Sequence, residues 1–171
     1  MCGIVGYIGN KNATPVLVNA LKKLEYRGYD SAGIAVFNGQ DILVRKVKGA
    51  LKALEEKIAK ETIEGSLGIG HTRWATHGEP SDINAHPHLN ESGTIAVVHN
   101  GIIENFAKLK AWLQSEGVVF KSDTDTEVIA HLINYYYEDS LDIFEAVKAT
   151  VNRLEGSYAL GVLCKDFPDR S

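Results

Sequence analysis

Cysteine is scarce in this sequence, whose 171 residues include only Cys2 and Cys164, one near each end. Their separation matches no metal-binding spacing and argues against a structural disulfide, so we expect a reduced, cytoplasmic protein. No apolar run approaches the roughly 18 residues that a membrane-spanning helix needs, and no signal peptide precedes the first apolar segment. The net charge of −4 provides no basic surface, so neither nucleic acid nor an anionic membrane is an expected partner.

The rest of the composition, 44% hydrophobic and 23% charged, is that of one globular domain with a substantial core. Hydrophobic periodicity and turn residues predict strands at 2–8, 32–37, 42–47, 66–73, 94–99 and 157–164. Asn100-Gly101 is predicted to form a turn that ends the fifth strand. They predict helices from a Thr14-Pro15 cap to about Tyr26, at 51–60, at 103–115, after a cap at 123–125, and at 142–154, with a long loop at 74–92. Strands followed by consecutive helices and a final strand predict an α+β fold, with helices packed on antiparallel sheets.

Cys2 directly follows the initiator methionine and opens the first apolar run. Removal of Met1 would leave Cys2 with a free α-amine, whose pKa of roughly 7.7–8.0 leaves a useful fraction neutral at physiological pH. A thiol and a base on one residue form the N-terminal nucleophile arrangement. Taken alone, Cys2 is more often a small apolar residue of a buried strand.

Four further segments are rich in polar groups, namely 26–33, 71–80, 99–101 and 122–127. Arg73 can bind a carboxylate with two parallel hydrogen bonds, and Thr76 and His77 add donors beside it. Asn100 and the backbone N–H of the following glycine can direct two donors at one oxygen, as a tetrahedral oxyanion requires. A carboxylate of 122–127 can hold a substrate ammonium group.

Each segment also has a structural interpretation. Arg73 can pair with any acidic neighbour, Asn-Gly is a common tight turn, and acidic residues at a helix start serve as caps. Considered together, however, a thiol, two oxyanion donors, a guanidinium and a carboxylate match the amide hydrolysis of an amino acid such as glutamine.

Six motifs along the chain carry a resemblance to a known family, at 2–6, 26–33, 71–80, 84–88, 99–105 and 124–131. Together they resemble class II glutamine amidotransferases, and among these the glutaminase domain of the glutamine–fructose-6-phosphate aminotransferases, also called glucosamine-6-phosphate synthases. The similarity is collinear from residue 2 to about residue 163. It implies an N-terminal-nucleophile hydrolase fold, in which two antiparallel sheets lie between helices in four layers.

The resemblance also implies a role for each matching residue. Cys2 would be the nucleophile, with its own α-amine as general base, and Asn100 and the Gly101 amide would form the oxyanion hole. The other implied roles are α-carboxylate binding by Arg73, α-ammonium binding by Asp125, pocket lining by Thr76 and His77, and a lid with an ammonia gate at Trp74. From the polar segment 26–33 itself, we expect Arg27 to support the loop that carries Cys2. No metal or cofactor is implied.

In that family the glutaminase domain continues some tens of residues further, and a sugar-isomerase half follows. We therefore expect residues 1–171 to be an amidotransferase domain that lacks C-terminal strands, with 157–164 as an exposed sheet edge. Glutamine would be the substrate, fructose 6-phosphate would bind only to the absent half, and the full-length enzyme would be a homo-oligomer.

Three alternatives remain open from the sequence. The chain can be the glutaminase half of another amidotransferase, or a catalytically silent fragment. A metal-binding module is suggested by the number of histidines, although their spacing matches no structural zinc pattern. These histidines are His71, His77, His86, His88 and His99.

Overall fold

The computed structural model describes residues 2–25, 29–74 and 78–169, and these ranges contain seven strands and five helices. The strands are β1 (Gly3–Ile8), β2 (Ser31–Phe37), β3 (Ile42–Lys48), β4 (Leu67–Arg73), β5 (His88–Leu89), β6 (Ile95–Gly101) and β7 (Tyr158–Cys164). The helices are α1 (Ala13–Lys23), α2 (Leu51–Lys60), α3 (Phe106–Ser115), α4 (Asp125–Ser140) and α5 (Ile143–Val151). None of these helices has the length and apolar character needed to cross a membrane.

The strands form two antiparallel sheets that pack face to face. The first sheet has the order β1-β4-β2-β3, and the second has the order β5-β6-β7. Alternation along the central strands divides the core into layers, because successive side chains of a strand point to opposite faces. Ala96 and Val98 of β6 pack between the sheets, whereas Ile95 and Val97 pack against helices α3–α5.

The same alternation gives β2 one face that packs against helices and another that packs against the second sheet. Ile34 and Val36 pack against α1 and α2, and Ala35 packs against the second sheet. The order of layers is therefore helix, sheet, sheet, helix. This arrangement confirms the predicted α+β class and the four-layer sandwich.

Most predicted elements are confirmed, but the cap of α1 is wrong. The N-cap is Asn12, whose Oδ1 accepts the backbone N–H of Thr14 at 3.3 Å. The Thr14 hydroxyl instead donates to the carbonyl of Ile63 at 2.7 Å, a tertiary contact that the local sequence does not reveal. The helix ends at Lys23, before the predicted end at Tyr26, which lies outside the described residues.

The interpretation of Asn100-Gly101 as a turn is also wrong. Both residues belong to β6, where they pair with Ala159 and Tyr158 of β7. Gly101 has a φ of 111°, and a Cβ there would lie 2.2 Å from the carbonyl oxygen of Ser157. The glycine is thus required by a positive φ and by the close approach of β7, rather than by a reversal of the chain.

Two further boundaries differ from the prediction. The predicted loop at 74–92 contains the short strand β5, and α3 begins at Phe106 rather than at 103. The backbone N–H of Ile103 instead donates to Asp125 Oδ2 at 3.0 Å, which holds this segment against the start of α4. The half-polar strand β3 lies at a sheet edge, as expected, and β7 is the edge of the second sheet within the described residues.

Candidate active site

A cavity of about 230 Å³ lies at one end of the sandwich. The start of β1, the ends of β4 and β6, and the start of α4 meet there. Its lining consists of Cys2, His71, Arg73, Trp74, His86, His99, Gly101, Ile102, Thr124 and Asp125. The antiparallel pairing of Gly3 with Thr72 explains why Cys2 lies beside the end of β4. The Gly3 backbone N–H also donates to the Thr72 hydroxyl at 3.1 Å.

The half-buried Cys2 thiol is held by the backbone of Trp74. The Trp74 N–H donates to Cys2 Sγ at 3.0 Å, and the Trp74 carbonyl oxygen lies 3.6 Å from the same sulfur. Burial raises the pKa of the Cys2 thiol above its ordinary value, and the hydrogen bond from Trp74 offsets only part of that rise. The thiol is therefore protonated at neutral pH, and its use as a nucleophile requires a base.

The Asn100 side chain bridges Cys2 and His71. Asn100 Nδ2 donates to the Cys2 carbonyl oxygen at 2.7 Å, and Asn100 Oδ1 lies 3.0 Å from His71 Nε2. An amide nitrogen carries two hydrogens, so one N–H remains after the bond to Cys2. Asn100 lies beside the cavity rather than in its lining, whereas the adjacent Gly101 lines the cavity directly.

Two buried groups of opposite charge line the same cavity. Arg73 donates through Nη2 to the Gly78 carbonyl at 3.1 Å, and its Nη1 lies 3.7 Å from Asp30 Oδ1. Asp125 is the first residue of α4, and its Oδ2 accepts a hydrogen bond from the Ile103 N–H. Its Oδ1 lies 3.9 Å from His99 Nδ1. A guanidinium and a carboxylate in one hollow complement the two charged groups of an α-amino acid.

Four buried histidines form an array beside this cavity, which we call the histidine array: His71, His86, His88 and His99. The rings of His71 and His86 stack with centroids 4.0 Å apart, and the Thr126 hydroxyl lies 3.1 Å from His86 Nε2 and 3.0 Å from His99 Nδ1. Burial lowers the pKa of His71 to about 3 and holds those of His86 and His88 well below the ordinary value. These three rings are therefore neutral at physiological pH.

The structure gives the array no arrangement for a metal. Within the described residues, no group of three or more histidine, cysteine, aspartate or glutamate side chains is placed to hold an ion. The ring nitrogens of the histidine array instead contact hydroxyl groups, a backbone carbonyl and the Asn100 amide. The only sign of this array in the sequence was the number of histidines. The sequence also gave no indication that Asp30 pairs with Arg73.

The structure thus brings five of the predicted site residues around one cavity and places a sixth beside it. The five are Cys2, Arg73, Trp74, Gly101 and Asp125, and the sixth is Asn100. Trp74, with 47% of its surface exposed, and the similarly exposed Ile102 both line the cavity. The remaining predicted residues, Arg27, Thr76 and His77, lie outside the described residues.

Comparison with known proteins gives a family for the chain. A family model described as a glutamine amidotransferase domain matches residues 71–167. Glutamine–fructose-6-phosphate aminotransferase [isomerizing] from Caldanaerobacter subterraneus subsp. tengcongensis is 63% identical over 169 residues, which is 99% of this chain and 28% of that protein. The protein of the same name from Clostridium tetani is 62% identical over 170 residues, with the same two coverages. The chain therefore spans only 28% of the length of these relatives.

Solved structures share the fold. The glutamine phosphoribosylpyrophosphate amidotransferase of B. subtilis, in complex with ADP and GMP, matches with a TM-score of 0.82 and 27% identity over 96% of this chain and 35% of that one. A structure described as the allosteric regulatory enzyme of purine biosynthesis matches with a TM-score of 0.84 and 28% identity over 96% of this chain and 36% of that one. These matches confirm the expected N-terminal-nucleophile hydrolase fold. Since the family model takes in more than half of the sequence and a solved amidotransferase has the same fold, the chain belongs to the glutamine amidotransferase domain family.

Proposed function

We propose that this chain hydrolyses the side-chain amide of glutamine to glutamate and ammonia, with Cys2 as the nucleophile. One observation carries the proposal: the Cys2 thiol shares a cavity of about 230 Å³ with a buried guanidinium and a buried carboxylate. Glutamine has a carboxylate and an ammonium group at one end and an amide at the other. When the charged end is bound between Arg73 and Asp125, the amide is left for the sulfur.

The Cys2 sulfur attacks the side-chain carbonyl carbon of glutamine, and its proton passes to a base. Because the pKa of the thiol is raised, we assign this base to the Cys2 α-amine, which is free only when Met1 has been removed. The tetrahedral intermediate collapses as its carbon–nitrogen bond breaks, and the departing nitrogen takes the proton and leaves as ammonia. Water then attacks the γ-glutamyl thioester, releases glutamate and regenerates the thiol.

Two donors are available for the oxyanion of this intermediate. One is the second N–H of the Asn100 amide, whose first N–H is bonded to the Cys2 carbonyl. The other is the backbone N–H of Gly101, a residue of the cavity lining. Donors held by a sheet need little reorganisation as negative charge develops, which is the basis of oxyanion stabilisation.

The substrate's charged end is held by groups that are already oriented. The Arg73 guanidinium is fixed by the Gly78 carbonyl and by Asp30, and the Asp125 carboxylate by the Ile103 N–H. Such fixed groups reduce the entropy lost when the substrate is positioned. From the family resemblance we add Thr76 and His77 as further pocket residues and Trp74 as a lid residue that gates ammonia. From the sequence of the 26–33 segment we add Arg27 as support for the Cys2 loop.

We extend the proposal to a longer protein, in which residues 1–171 would belong to the glutaminase domain. The relatives are more than three times as long and are named for an aminotransferase that acts on fructose 6-phosphate. Ammonia released at Cys2 would then serve an acceptor site elsewhere in the protein, with fructose 6-phosphate as the acceptor and a homo-oligomer as the assembly. Both cysteines are free, as is typical of proteins in a reducing compartment, and we therefore propose the cytoplasm as the location.

The test is an assay of glutamate release by the purified protein, with the mass of its N-terminus measured on the same sample. We expect release from protein that begins at Cys2 and none from the Cys2→Ala variant. Substantial release by Cys2→Ala would remove the nucleophile assignment. Absence of release from folded protein with a free Cys2 amine would favour the catalytically silent alternative.

A further inference from the structure

We propose that His71 is a positioning residue, whose imidazole N–H fixes the orientation of the Asn100 amide so that its NH2 group is held on the side of Cys2. This inference rests on the proposed function, in which Asn100 supplies an oxyanion donor. It adds a residue that acts on the reaction only through another side chain.

The location of His71 limits the forms that its ring can take. It lies in β4 and is fully buried, and burial lowers its pKa to about 3. The ring is therefore neutral and carries one N–H, on either Nδ1 or Nε2.

The neighbours of His71 decide which nitrogen carries that hydrogen. Nε2 lies 2.9 Å from the backbone carbonyl oxygen of His99. A carbonyl oxygen can only accept a hydrogen bond. A hydrogen on Nε2 satisfies this carbonyl, whereas a lone pair there would face it unfavourably. Nδ1 is buried and has no hydrogen-bond partner among the described residues, so Nε2 makes the polar contacts of the ring.

The hydrogen on Nε2 in turn decides how the Asn100 amide is oriented. The Asn100 atom 3.0 Å from Nε2 must be an acceptor, which assigns it as Oδ1. The other end of the amide, 2.7 Å from the Cys2 carbonyl, must be a donor, which assigns it as Nδ2. Reversal of the amide would set N–H against N–H at one end and oxygen against oxygen at the other, so two independent contacts oppose it.

The His71 ring is itself held in place by the histidine array. Its stacking partner His86 is parallel to within 14°, and His86 accepts the backbone N–H of His99 at Nδ1, 3.3 Å away. The Thr126 hydroxyl lies 3.1 Å from His86 Nε2. Asn100 is thus connected through His71 to a packed group of buried side chains.

The test compares two substitutions of the same residue. His71→Phe keeps an aromatic ring for stacking on His86 but removes the N–H, whereas His71→Gln can place an amide N–H near the position of Nε2. We expect His71→Phe to lower kcat for glutamine by about 10- to 100-fold, less than full loss of an oxyanion donor costs. The KM for glutamine and the inhibition constant of glutamate should change less than about threefold, since neither contact of the charged end is altered. His71→Gln should recover most of the loss in kcat.

A double-mutant cycle separates positioning from a general structural effect. In the Asn100→Ala background, the additional change His71→Phe should lower kcat less than about twofold, because a residue that acts through Asn100 has nothing left to position. Full additivity, or His71→Gln as slow as His71→Phe, would overturn the inference. Urea unfolding of each variant checks that it is folded. If the unaltered protein itself shows no glutaminase activity, the proposed function fails rather than the role of His71.

Discussion

At the residue scale, the chemistry depends on how a protonated Cys2 loses its proton. Burial raises the pKa of the thiol, and among the described residues the hydrogen-bonding groups that contact the sulfur are a backbone N–H and a backbone carbonyl, both of Trp74. The neighbouring His71 and His86 are neutral, but they contact Asn100, Thr126 and each other. The α-amine of Cys2 therefore remains the base that we propose for the thiol.

An N-terminal extension tests that conclusion directly. One or more residues added before Cys2 turn its amine into an amide nitrogen, which cannot accept a proton. We expect glutaminase activity to fall by about 10²–10⁴, the usual contribution of a general base. Cleavage by a protease immediately before Cys2 should restore activity in the same sample. High activity before cleavage would show that another group takes the proton.

Replacement of Asn100 by alanine tests the oxyanion donor. Asn100→Ala removes an amide that contacts the Cys2 carbonyl but neither of the charged groups of the cavity. We expect kcat for glutamine to fall by about 10²–10³, the usual loss for one such donor, with little change in KM. Steady-state kinetics measure both quantities. A large rise in KM with kcat preserved would contradict this role and indicate ground-state binding instead.

At the element scale, the start of α4 joins the site to the helical layer. Thr124 caps the helix by accepting the Glu127 N–H, Asp125 faces the cavity, and Thr126 contacts His86 and His99. The sequence predicted this cap and the beginning of α4, because capping residues and helical periodicity are local signals. It did not predict that these three successive side chains would cap the helix, line the cavity and contact the histidine array, respectively.

Glu127 provides a prediction for the stability of this element. Burial by itself would raise the pKa of its carboxylate, but hydrogen bonds from His131 and from the backbone amides of Lys121 and Ser122 lower it to about 2. Because the pKa is lower in the folded state than its ordinary 4.5, Glu127 stabilises the fold above pH 4.5, and this contribution is lost as the pH falls towards 2. The contribution at neutral pH is about 3 kcal/mol.

The measurement is urea unfolding of Glu127→Gln between pH 7 and pH 3. We expect the variant to be less stable than the unaltered protein by about 3 kcal/mol at pH 7, and the difference to shrink as the pH falls below 4.5. Glu138→Gln is a matched control, since Glu138 lies exposed on the same helix and bonds only to Asn134 among the described residues. A difference that stays constant with pH would mean that the charge of Glu127 is not what stabilises the start of α4.

The error at Asn100-Gly101 shows where local signals fail. This dipeptide is typical of a tight turn, yet β6 continues through it because β7 pairs with both residues. The glycine is needed because Ser157 approaches it closely, and Ser157 lies more than fifty residues later in the chain. A prediction from neighbouring residues cannot include such a contact. The same holds for Thr14, whose hydroxyl is taken by Ile63 instead of capping α1. These errors concern residues whose local preference is overridden by a strand or loop from elsewhere in the chain.

At the scale of the whole molecule, the site exists only because both sheets end at one place. Cys2 directly precedes β1 of the first sheet, and Arg73 ends β4 of the same sheet. Gly101 comes from the second sheet, and Asp125 from the helix that covers the second. Physical reasoning could identify each group as chemically suited to glutamine, and the family resemblance connected them. The contacts that orient them, such as Asp30 with Arg73 and His71 with Asn100, depend on strand register and packing, which the sequence did not reveal.

Binding of glutamine should therefore stabilise the whole sandwich. A ligand that binds only the folded state adds about 2.7 kcal/mol at a concentration one hundred times its Kd. For a domain of this size, that raises Tm by roughly 5–10 °C. The Cys2→Ala variant is the suitable protein, since it should keep the charged contacts and not consume glutamine. We expect glutamine to raise its Tm, as measured by scanning calorimetry, and 4-aminobutanamide, which lacks the α-carboxylate, to have little effect. Equal shifts with both compounds, or no shift with glutamine, would contradict the binding of the substrate's carboxylate at Arg73.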